Sequence, residues 1–556
     1  MNKKNLEIKK NLFLAFENHK KENFVTAKKI YKKILKSDPN YFDAIFLLGT
    51  LLIQMKNFDE AISLLKKAIL IQPSYGGAHY NLGLAFVEIK EFNLAIPHTQ
   101  KAIQLEPNNV EAYNNLGNIF KELRDFKKSK ACYEKAIQIK PNFVKAKNNL
   151  GNILKEQGKL TEAMNCYKEV IKIEPKQANA HYNLAVLFKV LGDFENTIKS
   201  FQEVIKYEPK NLIAIYELSN FQKKILDNDL KDKIKSILTD GGRNYENYAY
   251  GNFLLSKYEL ENKNYKKEFN YLLKGHENFF KSELKKFNKG IKYWLDELPK
   301  NKELINYNKE NKEIKKIEHE IKPIFIIGFP RCGSTLVEKI IASSNQYIPI
   351  GEETNILTSF VGKKLNKNKS LNSDIENDRS ILFEEYKNKK LIEKKSNYIF
   401  TDKSLDNFFY IGIIKKIFPN AKVINCKRNP TSSIMSLLKT ILRDVTWAHN
   451  IVHIFKFFDI YYKMTENFKK TFPNYIYELE YEKFVENPES EAKKLISFCN
   501  LKWNKKCLEF YKRKDLISKT ASNVQIRNAV YTDSINKYLP YREFLKKYGK
   551  KYSWFN

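Results

Sequence analysis

Three groups of residues in the C-terminal half have the types and spacing for chemistry on an anionic group. The first is an apolar run, Pro323 to Ile327, followed by Gly328, Phe329, Pro330, Arg331, Cys332, Gly333, Ser334 and Thr335 and then an apolar-periodic segment, Leu336 to Ala342. This order reads as strand, glycine loop, helix. Such a turn aims backbone N–H groups and a helix N-terminus at an anion, and its glycines allow close approach. The plain alternative is an ordinary turn between strand and helix. Ser334 stands where a lysine would reach the phosphates of a nucleoside triphosphate, which disfavours ATP or GTP hydrolysis. The second group is a further strand, Lys422 to Cys426, running into Lys427, Arg428, Asn429 and Pro430 and a helix holding Ser432, Ser433 and Ser436. A guanidinium at a strand's carboxyl end and a hydroxyl in the next helix can converge on one phosphate. A single strand-end arginine is usually structural, whereas two such signatures in order are specific. The third is Gly351, Glu352, Glu353 and Thr354, beyond the helix that follows the loop. A glutamate pair alone is usually a solvated turn; placed there, Glu353 can serve as a general base. Lys403, after Thr401 and Asp402 at a strand end, either approaches a leaving group or forms a salt bridge.

The loop, with proline and arginine ahead of its second glycine, resembles the 5'-phosphosulfate loop of sulfotransferases, whose donor is 3'-phosphoadenosine 5'-phosphosulfate. The resemblance assigns Arg331, Cys332, Gly333, Ser334 and Thr335 to the phosphosulfate, and Arg428 with Ser436 to the donor's 3'-phosphate. Matches extend over most of residues 323–545 and are similar to tyrosylprotein sulfotransferases. There the second glutamate of the acidic motif, Glu353 here, is the base on the acceptor phenol. Tyr481, with Glu482, Lys483, Phe484 and Val485, resembles the segment whose tyrosine packs on the donor's adenine. Thr520, Ala521 and Ser522 through Arg527 and Tyr531 resemble the family's closing loop, which puts Ser522 near the sulfuryl group and Arg527 near the 3'-phosphate. Two departures stand out: Asn355 replaces the family's arginine, and Phe409 lies where this branch places another catalytic lysine. The resemblance implies no metal.

The chain has 556 residues, enough for several domains, and its 43% hydrophobic and 13% aromatic content builds ordinary cores. A formal net charge of +34 would suit a polyanionic partner, but the lysines are dispersed singly or in pairs among abundant Asn, Ile, Phe and Tyr. A diffuse basic surface fits that pattern, and no specific nucleic acid is expected. The six cysteines, Cys132, Cys166, Cys332, Cys426, Cys499 and Cys507, lack the short spacing of a zinc or dithiol site. A reduced, cytoplasmic chain is expected, with neither an export signal nor a membrane span. His449 and His453 suggest a metal pair at i and i+4, but Asn450 stands between them where a zinc protease has glutamate and no third ligand is evident.

The element that positions all this is preceded by a repeat. Proline recurs at Pro39, Pro73, Pro107, Pro141, Pro175 and Pro209, always 34 residues apart. Gly49, Gly83, Gly117, Gly151 and Ala185 keep the same register, as do Ala27, Ala61, Ala95, Ser129, Ala163 and Thr197. This resembles the tetratricopeptide repeat: small residues let two antiparallel helices approach, and proline ends each hairpin. About five units led by a capping helix near Asn5 to Lys20 are expected. Asn81, Asn115, Asn149 and Asn183 repeat on one face of the first helices, and the ladder resembles the one that grips peptide in O-linked N-acetylglucosamine transferases. It can equally belong to the repeat consensus. The expected architecture is an α-helical tetratricopeptide superhelix over residues 1–215, a helical region with a degenerate repeat and charged connector over 216–320, and a P-loop-like α/β sulfotransferase domain with a central parallel sheet over 321–550. The expected function is sulfuryl transfer from 3'-phosphoadenosine 5'-phosphosulfate to a hydroxyl, foremost a protein tyrosine held by the repeats. A sugar or small-molecule acceptor, and a non-catalytic scaffold with a relic donor site, are the alternatives.

Overall fold

The computed structural model of the chain describes residues 3–240, 242, 244–309, 321–344, 348–366, 374–392, 399–513, 515–516, 527–532 and 535–555. Contacts divide the chain into two compact units, residues 1–189 with 195–209 and residues 190–194 with 210–556.

The repeats fold as six helical hairpins: Lys3–Lys20 with Phe24–Ser37, Phe42–Gln54 with Phe58–Ile71, Gly76–Glu88 with Phe92–Leu105, Val110–Glu122 with Phe126–Ile139, Val144–Glu156 with Leu160–Ile173, and Ala178–Leu191 with Phe194–Tyr207. The helix expected as a lone cap has a partner and forms half of the first hairpin. Every second helix ends two residues before its proline. The residue between, Asp38, Gln72, Glu106, Lys140 or Glu174, has φ between −140° and −128°, because the proline ring crowds the helical conformation of its predecessor. The in-phase small residues are where the two helices touch. A Cβ on Gly117 would lie 2.5 Å from the ring of Tyr133, and one on Gly151 would lie 2.6 Å from that of Tyr167. Both tyrosines are fully buried, so each large ring fills the space a missing side chain leaves. Within each hairpin the turn passes through a left-handed residue at the same 34-residue spacing: Glu22, Lys56, Lys90, Arg124, Gly158 and Gly192.

The second unit is built on a four-stranded parallel sheet in the order β2-β1-β3-β4, with β1 Ile324–Gly328, β2 Thr401–Asp402, β3 Lys422–Lys427 and β4 Ile476–Glu480. β1 pairs on both sides, and all five of its residues are buried, which is why it reads as an unbroken apolar run. Because all strands run the same way, the segments that follow them, including the glycine loop, Lys403, Arg428 and Tyr481, all emerge at one edge of the sheet.

The helices from residue 210 to 309 belong to this same unit. Tyr245–Glu261 and Tyr265–Ser282 form a helical hairpin within residues 216–320, where a degenerate repeat is expected. The latter helix sends Glu268 to Lys439 at 2.6 Å and His276 to His449, Nδ1 to Nδ1, at 3.1 Å. The stretch from Asn288, expected as a charged connector, is folded through Lys309. The helix Leu284–Lys292, a π-helical turn Tyr293–Glu297 and the helix Lys302–Lys309 follow one another, with Leu295 in the turn, Leu298 just after it and Leu304 in the last helix all buried. Their apolar residues are too widely spaced to show periodicity, yet each finds the core.

Candidate active site

The loop after β1 is shaped by three left-handed residues. Gly328 has φ +147°, and a Cβ there would meet the Cys426 carbonyl of the neighbouring strand at 2.6 Å. Gly333 has φ +95°, and its Cβ would strike the Tyr481 ring at 2.4 Å. Arg331 adopts φ +74° despite its side chain, a conformation that costs energy and that the surrounding contacts must hold. Cys332 is wholly buried, while Ser334 and Thr335 begin the helix Ser334–Ala342. The turn thus presents a helix N-terminus beside a guanidinium.

Arg331 Nε donates to Ser436 Oγ at 3.2 Å, and Arg428 Nη1 donates to the Arg331 carbonyl at 3.0 Å. The Arg428 guanidinium lies 4.5 Å over the Tyr481 ring. Arg331, Arg428, Ser436, Gly333 and Tyr481, spread over 151 positions of sequence, therefore form one cluster. Burial, with the neighbouring Arg428 charge, pulls the Arg331 guanidinium below its ordinary range. Asn429 caps the helix Pro430–Leu438 through Ser432 N, and its own N–H donates to Glu482 Oε1 at 3.0 Å, which ties the ends of β3 and β4 together.

The acidic motif is stitched to the end of β2. Thr401 N donates to the Pro349 carbonyl, Gly351 N to Thr401 Oγ1, and Lys403 N to the Gly351 carbonyl, at 3.0, 3.1 and 2.9 Å. A Cβ on Gly351 would sit 2.1 Å from the Thr401 carbonyl, so only glycine allows this approach. Thr354 Oγ1, the Tyr386 hydroxyl, Ser404 N and Ser404 Oγ all donate to the buried Asp402 carboxylate. Burial still lifts the Asp402 carboxyl above its usual range. Glu353 sits at φ +52° with its side chain 58% exposed, 3.7 Å from Lys403 Nζ, and Glu352 lies 3.9 Å from the same nitrogen. Lys403 itself is 1% exposed. Burial pulls its pKa down, but Glu338, Glu352 and Glu353 outweigh that and hold it above the usual lysine value.

Of the remaining expected residues, Ser522 lies outside the described residues, and Arg527 is held by another contact, its Nη2 donating to the Val190 carbonyl at 3.1 Å. Phe409 is buried against Phe408 and Trp294. His449 is buried against His276, and its Nε2 lies 3.0 Å from the Leu442 carbonyl. No group of three His, Cys, Asp or Glu side chains able to hold a metal occurs among the described residues. In the first unit, Asn81 Nδ2 donates to Thr50 Oγ1, Asn115 Nδ2 to the Tyr80 hydroxyl, Asn149 Nδ2 to Asn114 and Asn118, and Asn183 Nδ2 to Asn148. Each of these amides bonds the preceding hairpin. Sequence reasoning missed Glu338, Thr401 and Asp402 as parts of this network. The one available signal for Glu338 was a charge embedded in the apolar-periodic segment Leu336 to Ala342.

Residues 323–505 match the sequence model described as the sulfotransferase family. Tetratricopeptide repeat models match residues 19–83, 77–109, 110–143, 132–165, 151–192 and 178–211. A curated relative from Aquifex aeolicus (strain VF5), described as an uncharacterized protein, is 32% identical over 240 residues, which are 40% of this chain and 31% of that protein. The chain thus spans about a third of that relative's length. A crystal structure of MamA is 32% identical with a TM-score of 0.28, covering 30% of this chain and 96% of its own. The pilF protein of Pseudomonas aeruginosa is 19% identical with a TM-score of 0.35, covering 40% of this chain and 100% of its own. No helix among the described residues is long and apolar enough to cross a membrane. The chain thus carries a sulfotransferase-family domain over residues 323–505 behind tetratricopeptide repeats over residues 19–211.

Proposed function

We propose that this protein moves a sulfuryl group from 3'-phosphoadenosine 5'-phosphosulfate to an acceptor hydroxyl, that of a protein tyrosine delivered by the repeat unit. The reading is carried by the meeting of Arg331, Arg428 and Ser436 beside the N-terminus of the helix Ser334–Ala342. Two guanidiniums, hydroxyls and a loop with no Cβ at Gly333 fit a ligand that bears a phosphosulfate and a second phosphate. Arg331, Cys332, Gly333, Ser334 and Thr335 would hold the phosphosulfate, Arg428 and Ser436 the 3'-phosphate, and Tyr481 the adenine; Arg527 would join the 3'-phosphate only by leaving the Val190 carbonyl. The donor supplies an activated sulfuryl group. Glu353, exposed on its turn, takes the proton of the acceptor hydroxyl as the new oxygen–sulfur bond forms. Arg331 and Lys403, with Ser522 of the closing loop, offset the negative charge that grows on the departing phosphate oxygen. The products are a sulfate ester and adenosine 3',5'-bisphosphate. Six free thiols support a cytoplasmic setting.

Calorimetric titration of adenosine 3',5'-bisphosphate into the parent and Arg428→Ala, with ATP for comparison, tests the donor. Binding that needs the 3'-phosphate and fails in Arg428→Ala is the expected result; tighter binding of ATP would overturn the reading. A sugar or small-molecule acceptor is favoured by one observation, the use of all four ladder amides as bonds between hairpins. Alanine at Asn115 and Asn149 separates the two: loss of transfer to a long peptide but not to a short phenol supports peptide gripping, and unchanged transfer to both removes it. Absence of turnover with every acceptor tried would leave the relic scaffold.

A further inference from the structure

We propose that Glu338, a buried carboxylate on the helix behind the glycine loop, is a positioning residue for Lys403: it keeps the ammonium charged and in place when Glu353 takes up the acceptor's proton. This rests on the reading that Lys403 faces the donor's phosphate end.

The argument starts from the cost of burying an ammonium group. At 1% exposure Lys403 needs nearby anions, since an isolated buried charge sheds its proton instead. Two carboxylates lie within ion-pair distance, the largely buried Glu352 at 3.9 Å and the exposed Glu353 at 3.7 Å. Glu353 is the proton acceptor, so its negative charge vanishes in the very step in which the lysine's positive charge is needed. Glu338 is 0% exposed and is bonded to Thr401, two residues before Lys403 on the same face of the strand end. Its Oε1 accepts from Thr401 Oγ1 at 2.8 Å, and Thr401 Oγ1 in turn accepts from Gly351 N at 3.1 Å. One hydrogen-bonded chain thus links Glu338 to the turn that carries Glu352 and Glu353. Glu338 Oε2 is buried with no hydrogen-bond partner, so that oxygen's charge is answered only electrostatically.

The ionisable groups that act on Lys403 are Glu338 and Lys339 on that helix, Glu352 and Glu353 on the turn, and the thiols Cys332 and Cys426. Glu338 is the largest favourable influence on the lysine, and burial lifts its own pKa to about 7, with Lys403 opposing the rise. The ammonium favours the charged form of a carboxylate this costly to ionise, and the carboxylate favours that of the ammonium, so the dependence is mutual.

Adenosine 3',5'-bisphosphate binding, measured by calorimetry from pH 6.5 to 11, tests this without knowledge of the acceptor. In Glu338→Gln, which keeps an oxygen for Thr401 but no charge, the alkaline decline in affinity should begin about one pH unit earlier than in the parent. Glu338→Asp should restore much of the parent curve. A Glu338→Gln curve that superimposes on the parent's would overturn the proposal. In a Lys403→Met background the Glu338→Gln change removes a pair of charges rather than stranding one, so folding is protected, and it should alter the curve no further; a second loss there would also overturn it. Should the parent fail to bind the bisphosphate, the donor reading falls and takes this proposal with it. Should Lys403→Met bind as the parent does at every pH, only the roles of Lys403 and Glu338 fall.

Discussion

At the scale of single residues, the site depends on a few backbone positions that tolerate no side chain and a few side chains that carry charge. Gly333→Ala would force alanine to φ +95° and push its Cβ to 2.4 Å from the Tyr481 ring, which also carries the Arg428 guanidinium. It should lower the unfolding free energy of the second unit by about 1–3 kcal/mol and abolish measurable binding of adenosine 3',5'-bisphosphate, read by urea denaturation and calorimetry. Glu353→Gln removes the proposed base from a side chain that is 58% exposed. Transfer of labelled sulfate should fall by about 10²–10⁴-fold while bisphosphate binding stays within a few-fold of the parent; full turnover would remove Glu353 from the mechanism.

At the scale of elements, the hairpins are held by complementary large and small residues. Gly151→Ala adds a methyl 2.6 Å from the buried Tyr167 ring. The clash outweighs alanine's better helix propensity of ~1 kcal/mol, and the repeat unit should lose about 1–3 kcal/mol in denaturant unfolding. Gly158→Asn offers a contrast. Nothing lies within 4 Å of its Cβ position, and Lys56, Lys90 and Arg124 hold the same left-handed turn with side chains in place, so a change below about 1 kcal/mol is expected. Asn149→Ala removes two amide bonds, of 2.9 and 3.2 Å, between neighbouring hairpins and should cost about 1–2 kcal/mol by the same measurement. No loss would mean that the ladder amides are not what ties the hairpins together.

At the scale of the whole molecule, the second unit joins a helical layer to its sheet through buried polar contacts. His276 and His449 meet at 3.1 Å, while their other ring nitrogens lie 2.8 Å from the Leu438 carbonyl and 3.0 Å from the Leu442 carbonyl. Burial pushes His276 down to about 4, and burial with the neighbouring His276 charge pushes His449 down to about 3. Both native values lie below the unfolded value of about 6.5, so the unfolded chain binds more protons on acidification. The stabilisation is complete above about pH 6.5 and is lost as the pH falls towards 4 and 3. The urea midpoint of this unit should therefore drop between pH 7 and 4.5, and His449→Gln should flatten that dependence; an equally steep decline in the variant would place the acid sensitivity elsewhere.

The repeat was legible because its physics is local: a proline every 34 residues stops a helix wherever it stands, and a glycine or alanine in phase marks where the partner helix packs. The glycine loop and the strand-end Arg428 were legible for the same reason, since strand, turn and helix follow one another in the chain. Tertiary structure alone decided the rest. Residues 288–309 pack as helices because Leu295, Leu298 and Leu304 find a core no periodicity announces. Arg331 meets Ser436 across 105 residues because β1 and β3 are neighbours in a parallel sheet. Glu338 looks like a charge on a helix until folding buries it against Thr401, two residues before the lysine after β2. A carboxylate's role depends on which charges share its low-dielectric surroundings, and that is fixed only when distant strands are brought side by side.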